Sequence, residues 1–344
     1  LARRPHRAQN QPSIPSRIGQ PLARGKALPV FCVRVAFFCE LCGHRATGPG
    51  KCPQDGRVLH KPVHGTLLGE KLGNYVVIGE LGTGGMGDVY RAINPLITTQ
   101  VAIKVLNASC ANDASARQRL LREAQTVNRI DSTGVVKVND AGVLLDGRPY
   151  IVMELLDGKS LSEHLREGRP PLAETYRVML DVLAIIDAAH RASIIHRDLK
   201  PPNVFLALNG THILDFGIAK LLDPGGDAGL TSTGAVIGTP HYMAPEQIQA
   251  KPVDARTDVY AAAVVMYEML VGRRPFEGNS DFEVLSGHVE RRPPPPRALN
   301  PEISPDLQSI VLAALAKDPA HRFQTAAAMR TALLHVVRAS SAPG

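Results

Sequence analysis

A small set of side chains carries the chemistry this sequence can do. Lys104 ends the β-branched run "VAIK". His196, Arg197, Asp198, Lys200 and Asn203 stand together in "HRDLKPPN", and Asp215 opens "DFG". Asn203 and Asp215 can present oxygens to Mg²⁺, a hard cation that takes such ligands while keeping water and phosphate in its shell. Asp198 can accept a proton from an attacking hydroxyl, and Lys200 can offset negative charge on a phosphoryl group in flight. Lys104 sits in a run that reads as a buried strand, where an unpaired charge is costly. Glu123, on or next to the apolar face of the helix that follows, can pair with it. Gly82, Gly84 and Gly87 make the spacing G-x-G-x-x-G in "GELGTGGMGDVYR". In a dinucleotide fold that loop opens a helix, with an acid about 20 residues on. Here a strand, "DVYRAI", follows instead. The loop therefore links two antiparallel strands, and its glycines let the backbone approach phosphate oxygens. Taken singly, each carboxylate is an ordinary surface acid and Lys104–Glu123 an ordinary strand–helix ion pair.

The elements that must position these residues fall into two lobes. "YVVIGEL", "DVYRAI" and "QVAIKVL" read as strands. A helix then starts near Asp113, with Leu120, Ala124 and Val127 at helical spacing. "GVVKVNDAGVLLDGRPYIVMEL" reads as two more strands with Asp-Gly at the turn. After Gly158 the pattern is mostly helical, strongest in "ETYRVMLDVLAIIDAAHRA" and "DVYAAAVVMYEMLVG". One hairpin interrupts it, turning at Asn209-Gly210. The expectation is an α+β, bilobal body: a small antiparallel β lobe over 75–153 and a larger α-helical lobe over 157–337. Before it come a basic tail (1–35), a cysteine-rich segment (36–60) and a linker (61–74).

With the motifs placed, a resemblance follows. "GTGGMGDV", "VAIK", "HRDLKPPN", "DFG" and "APE" (Ala244 to Glu246) resemble, in order and spacing, the motifs of eukaryotic-like (bacterial) Ser/Thr protein kinases, over roughly residues 75 to 337. The resemblance implies transfer of the γ-phosphoryl of ATP to protein Ser/Thr hydroxyls, with Mg²⁺. It implies that Gly82, Gly84 and Gly87 cover the phosphates and that Lys104 holds them while paired to Glu123. Leu81, Val89, Ala102 and Phe205 would enclose the adenine, Met153 would stand as gatekeeper, Glu154 and Leu156 would meet the adenine edge, and Asp157 the ribose. Asp198 would act on the substrate hydroxyl with Lys200 beside it, and Asn203 and Asp215 would hold Mg²⁺. Lys200 and "GTPHYMAPEQ" favour Ser/Thr acceptors over Tyr. Thr231 and Thr233 are expected autophosphorylation sites, reached through a transient homodimer. Glu246–Arg322 and Asp258 are expected to brace the large lobe. A catalytically inactive scaffold of the same fold is the alternative, disfavoured because Lys104, Asp198, Asn203 and Asp215 are all present.

The chain holds five cysteines: Cys32, Cys39, Cys42, Cys52 and Cys110. Their placing suits a reducing compartment and a metal site rather than a disulfide framework. "CELCGHRATGPGKCPQDG" resembles a zinc ribbon with ligands Cys39, Cys42, Cys52 and Asp55; His44 is the other choice for the fourth. Residues 1–74 carry 12 Lys and Arg against 3 acids, and residues 75–344 carry 27 against 29. The basic excess thus belongs to the N-terminal segment. That weakens a nucleic-acid reading of the whole chain, leaving it only to the ribbon, as a nucleic-acid or partner module. No apolar run is long enough to span a membrane, and a cytoplasmic place is expected.

Overall fold

The computed structural model describes residues 37–62, 66–84, 87–107, 124–216 and 240–341, with residues 340 and 341 described by backbone only. Two short strands, β1 (Phe37–Phe38) and β2 (Arg45–Ala46), form an antiparallel ribbon. The small lobe is a six-stranded antiparallel sheet ordered β3-β4-β5-β6-β8-β7. Its strands are β3 (Lys71–Leu72), β4 (Tyr75–Gly84), β5 (Gly87–Asn94), β6 (Thr99–Leu106), β7 (Val138–Val143) and β8 (Pro149–Glu154). The expected "linker" therefore supplies an edge strand: Lys71 and Leu72 pair with Val76 and Tyr75. Alternation sorts the faces. Val101, Ile103 and Val105 join Val77, Tyr90 and Val152 in one core, while Ala102 and Lys104 point the other way.

The large lobe begins with β9 (Gly158–Ser160) and α1 (Leu161–Glu167). Ser160 caps α1 in a capping box with Glu163. β9 pairs with β10 (Val204–Ala207), which pairs in turn with β11 (Gly210–Ile213). Ala207 faces Gly210, so the hairpin turns on Leu208-Asn209, one residue earlier than expected. The core stands on α2 (Leu172–Arg191) and α4 (Ala255–Val271). In α2, Val178, Met179, Val182, Leu183 and Ile186 are buried at helical spacing. In α4 nearly every residue is buried, and Ala261, Ala262 and Ala263 let neighbouring helices approach closely. Asp254 caps α4, and Gly272, at φ 80°, ends it. A short α3 (Pro245–Ile248) precedes it; α5 (Asp281–Val289), α6 (Pro296–Leu299), α7 (Pro305–Ala314) and α8 (Ala326–Ser341) complete the lobe.

Candidate active site and metal centre

A cavity of about 350 Å³ opens between the lobes, within the range of small-molecule sites. Leu81, Gly82, Val89, Ala102 and Lys104 line it from the sheet. Met153, Glu154 and Leu156 line it from the crossover between lobes, and Phe205 and Asp215 from below. Gly84, Gly87 and Asp157, expected at the nucleotide, do not line it. Gly84 faces Gly87 near the hairpin tip. Gly87 has φ 149°, and a Cβ there would stand 2.1 Å from the Val105 carbonyl oxygen, so the strand pairing itself demands glycine. The Asp157 carbonyl accepts from the Leu208 N–H at 3.2 Å, tying it to the β10–β11 turn. Ser160, Glu163 and Pro202 line the same region. Pro202 lies inside the "HRDLKPPN" motif, but no sequence signal marks Ser160 and Glu163, because a three-residue strand such as β9 leaves no periodic pattern.

Lys104 is only 6% exposed, and its Nζ donates to Asp215 Oδ2 at 2.6 Å, across 111 residues of sequence. The pairing meets the need of a buried cation for an anion. Glu123, the partner expected from sequence, lies outside the described residues, as do Thr231 and Thr233. Around Asp198 the other expected groups converge. Lys200 Nζ is 2.9 Å from Asp198 Oδ2, and Asn203 Nδ2 donates to the Asp198 carbonyl at 2.8 Å and to its carboxylate at 3.2 Å.

The loop is held from beneath. Asp258 Oδ2 accepts the His196 N–H at 2.8 Å and Oδ1 the Arg197 N–H at 2.9 Å. His190 Nε2 meets the same carboxylate at 2.8 Å. His196 links the loop at Asp198 to the segment before Asp215. Its Nδ1 accepts the Asp198 N–H at 3.2 Å, so Nε2 carries the proton and donates to the Leu214 carbonyl at 2.9 Å, next to Asp215. Arg197 and Asp215 adopt φ 67° and 56°. Such left-handed conformations in non-glycine residues persist only where the surroundings over-determine them. Gln247 donates to the Arg197 carbonyl at 2.8 Å. Beside it, both oxygens of Glu246 receive the Arg322 guanidinium at 2.8 Å, as expected.

Residues 75–334 match the family described as Protein kinase domain. The chain belongs to the protein kinase family. The kinase is 43% identical over 264 residues to a probable serine/threonine-protein kinase of Corynebacterium efficiens, covering 74% of this chain and 40% of that protein. It is 42% identical over 265 residues to serine/threonine-protein kinase PknB of Mycobacterium tuberculosis, covering 75% and 42%. Among solved structures it resembles the PknI kinase domain of Mycobacterium tuberculosis, with a TM-score of 0.61 at 27% identity over 77% of this chain and 97% of that one. The kinase spans about two-fifths of the length of the curated relatives it matches. The bilobal expectation holds, and the dinucleotide-fold alternative does not: β5 follows the glycine loop.

The cysteine segment of the kinase folds into two copies of one knuckle. The Cys39 N–H donates to the His44 carbonyl and the Gly43 N–H to the Cys39 carbonyl, each at 2.9 Å. The second copy repeats both bonds, from Cys52 N–H to Arg57 carbonyl and from Gly56 N–H to Cys52 carbonyl. Gly43 and Gly56 both sit at φ 72°. Asp55 therefore holds in the second knuckle the place of Cys42 in the first. The Sγ atoms of Cys39, Cys42 and Cys52 and an Asp55 oxygen all lie within 4.8 Å of one another. His44 contributes its backbone, not its ring, to this arrangement. Cys42 and Cys52 Sγ are 3.4 Å apart, and Cys39 Sγ is 3.1 Å from Asp55 Oδ2. Ligand–ligand edges of a zinc tetrahedron are about 3.3 to 3.8 Å. The Arg57 N–H and the thiols of Cys39 and Cys42 hold the Asp55 carboxyl down at about 2, while burial pushes both thiols up.

Proposed function

We propose that the kinase transfers the γ-phosphoryl of ATP to Ser or Thr hydroxyls of proteins. The observation that carries this reading is the meeting of Lys104 with Asp215 at 2.6 Å in the cavity wall, with the Asp198–Lys200–Asn203 cluster, itself outside that lining, tied to the segment before Asp215 by the Leu214 N–H donating to the Asn203 carbonyl at 2.8 Å. Lys104 would hold the inner phosphates, and Leu81, Val89, Ala102 and Phe205 would enclose the base under the gatekeeper Met153, with Glu154 and Leu156 presenting backbone groups. Asn203 and Asp215 would hold Mg²⁺, which neutralises charge on the phosphates when bound. Asp198 orients the incoming hydroxyl and takes its proton. Lys200, already 2.9 Å from that carboxylate, is placed to offset charge on the phosphoryl group. Glu123 is proposed as a further partner of Lys104. Thr231 and Thr233 are proposed as sites phosphorylated between two copies of the chain; intact-protein mass spectrometry showing no phosphate between residues 223 and 239 of active enzyme would reject that part. Phosphate transfer from labelled Mg-ATP to a protein acceptor tests the whole reading.

The ribbon is read as a zinc site with Cys39, Cys42, Cys52 and Asp55 as ligands. Three thiols and a carboxylate suit that ion, and binding would displace the thiol protons. The support is the duplicated knuckle, which brings all four donors to one point. One zinc per chain is expected by elemental analysis, with loss in Cys39→Ser; less than a tenth of an equivalent in the zinc-supplemented parent rejects it. The free thiols of Cys39, Cys42 and Cys52 support a reducing, cytoplasmic place.

A further inference from the structure

The ribbon is packed against the small lobe at a specific place. Phe38, 1% exposed, joins Val76 and Ile78 of β4 and Ile93 of β5 in one apolar cluster. Gly43, the turn glycine of the first knuckle, lies flat on the same strands. A Cβ there would stand 2.7 Å from Ile93 Cγ2 and 3.2 Å from Val76 Cβ. Glycine is thus required twice at this position, by the positive φ of the knuckle and by the approach of the strands. Arg45 of β2 reaches Glu70 at 3.9 Å on the rim of the contact.

The register shows which side of the sheet is touched. Residues facing each other across an antiparallel pair share a side, as do alternate residues along a strand. Val76 faces Ile93. Ile93, Arg91 and Val89 alternate along β5; Arg91 faces Ala102 and Val89 faces Lys104. Ala102 and Lys104 line the nucleotide cavity. The ribbon therefore rests on the cavity-facing side of the β4–β5 hairpin, at its base. The glycine tip lies about 20 Å further along the strands.

We propose that the ribbon, closed on its metal, is a positioning brace for the glycine-rich hairpin and so sets the affinity for nucleotide. Phe38 and Gly43 fix the base of β4 and β5, and the tip is thereby confined over the cavity. The ribbon's own core is little more than Cys39, Cys52 and Leu59. A segment with so little apolar interior depends on metal for its fold, and metal loss releases the brace. A hairpin that spends less time in the nucleotide-competent arrangement binds nucleotide more weakly in proportion to the lost population. The metal's part rests on the zinc reading above; the brace rests on the packing of Phe38 and Gly43 against Val76 and Ile93.

The experiment compares three forms of the full chain: the zinc-loaded parent, the parent stripped by chelator, and zinc-loaded Phe38→Ala, which keeps all four ligands. Each is titrated with a fluorescent ATP analogue plus Mg²⁺, and hydrogen exchange is followed over residues 75–94 and, as an internal control, over 172–191. Stripping and Phe38→Ala are each expected to raise the Kd about five- to twentyfold and to speed exchange in 75–94 but not in 172–191. Phe38→Ala should retain its metal. Unchanged Kd and exchange in Phe38→Ala overturn the brace. A raised Kd without faster exchange in 75–94 overturns it too. An effect of Phe38→Ala with none from stripping overturns the metal's part. Should Phe38→Ala lose its metal and unfold the ribbon, Val76→Ala shortens the same contact from the strand side and is judged by the same two readouts. Neither readout needs phosphate transfer, so an inactive kinase would leave this result standing on its own.

Discussion

Arg322→Met removes the cation from the most buried ion pair described in the large lobe. Arg322 donates to both oxygens of Glu246 at 2.8 Å, and to the carbonyls of Ala316 at 2.7 Å, Lys317 at 2.9 Å and Arg256 at 3.1 Å. Methionine fills much of the volume but leaves Glu246 with Thr257 as its remaining side-chain donor. Breaking a buried pair from one side typically costs about 3–5 kcal/mol, and at roughly 2–4 °C per kcal/mol for a domain this size the melting temperature should fall by about 10 °C. The cost should depend on pH. Burial alone raises the Glu246 carboxyl; the Arg322 fork outweighs it and holds the carboxyl below its ordinary 4.5. The parent keeps that contribution above pH 4.5 and loses it only as pH falls through the depressed folded value. In Arg322→Met only the Thr257 hydroxyl and the backbone still oppose burial, so the carboxyl rises and protonation relieves the mutant on acidification. The gap between the two proteins should therefore shrink on acidification, and Glu246→Gln/Arg322→Met should recover part of it at pH 7. Urea unfolding of the large lobe at pH 7, 6 and 5 measures this. A gap below about 1 kcal/mol at pH 7, or one constant with pH, would refute the reasoning.

A second pH effect belongs to His288. Burial first, then the Lys317 charge, lowers its imidazole from 6.5 to about 3, and Tyr260 and the His241 carbonyl bond the neutral ring at 2.9 and 3.0 Å. The unfolded chain takes up a proton below pH 6.5 that the folded chain refuses, so stability should fall with acidification at up to about 1.4 kcal/mol per pH unit. His288→Gln should flatten that slope between pH 6.5 and 4.5 in urea unfolding, and an unchanged slope would assign it elsewhere. Asp258→Asn takes a full charge from the N–H groups of His196 and Arg197; displacing the catalytic loop should lower kcat about 100-fold while the KM for ATP moves little, and steady-state kinetics with both substrates varied separates the two.

How much of this was legible in sequence depended on range. Lys104 and the Asp198–Asn203 loop belong to short motifs in which residue type dictates local backbone; Lys104 lines the cavity on Asp215, whereas Gly84 and Gly87 of the glycine motif do not line it. The choice of Asp55 over His44 rested on a local repeat, Cys-x-x-Cys-Gly against Cys-x-x-Asp-Gly, and the two matching sets of backbone bonds show the same repeat in space. What escaped was long-range or patternless. Lys71 and Leu72 looked like linker because two residues carry no alternation, yet they pair with β4. Ser160 and Glu163 reach the cavity because β9 pairs with β10, a contact no local spacing encodes. Phe38, at the end of the apolar run "VAFF", gives no sign of its partners until Val76 and Ile93 are folded against it.

The cluster around Asp198 is proposed to move a phosphoryl group from ATP to a protein hydroxyl. The most direct test is the rate of phosphate transfer from labelled Mg-ATP to a Ser/Thr-containing protein, for the parent and for Asp198→Asn side by side. Asn preserves size and the contact with Asn203 but cannot take the proton. The parent should phosphorylate Ser or Thr, and the variant should retain nucleotide binding while losing transfer by about 10²- to 10⁴-fold. Equal transfer by both proteins would contradict the account.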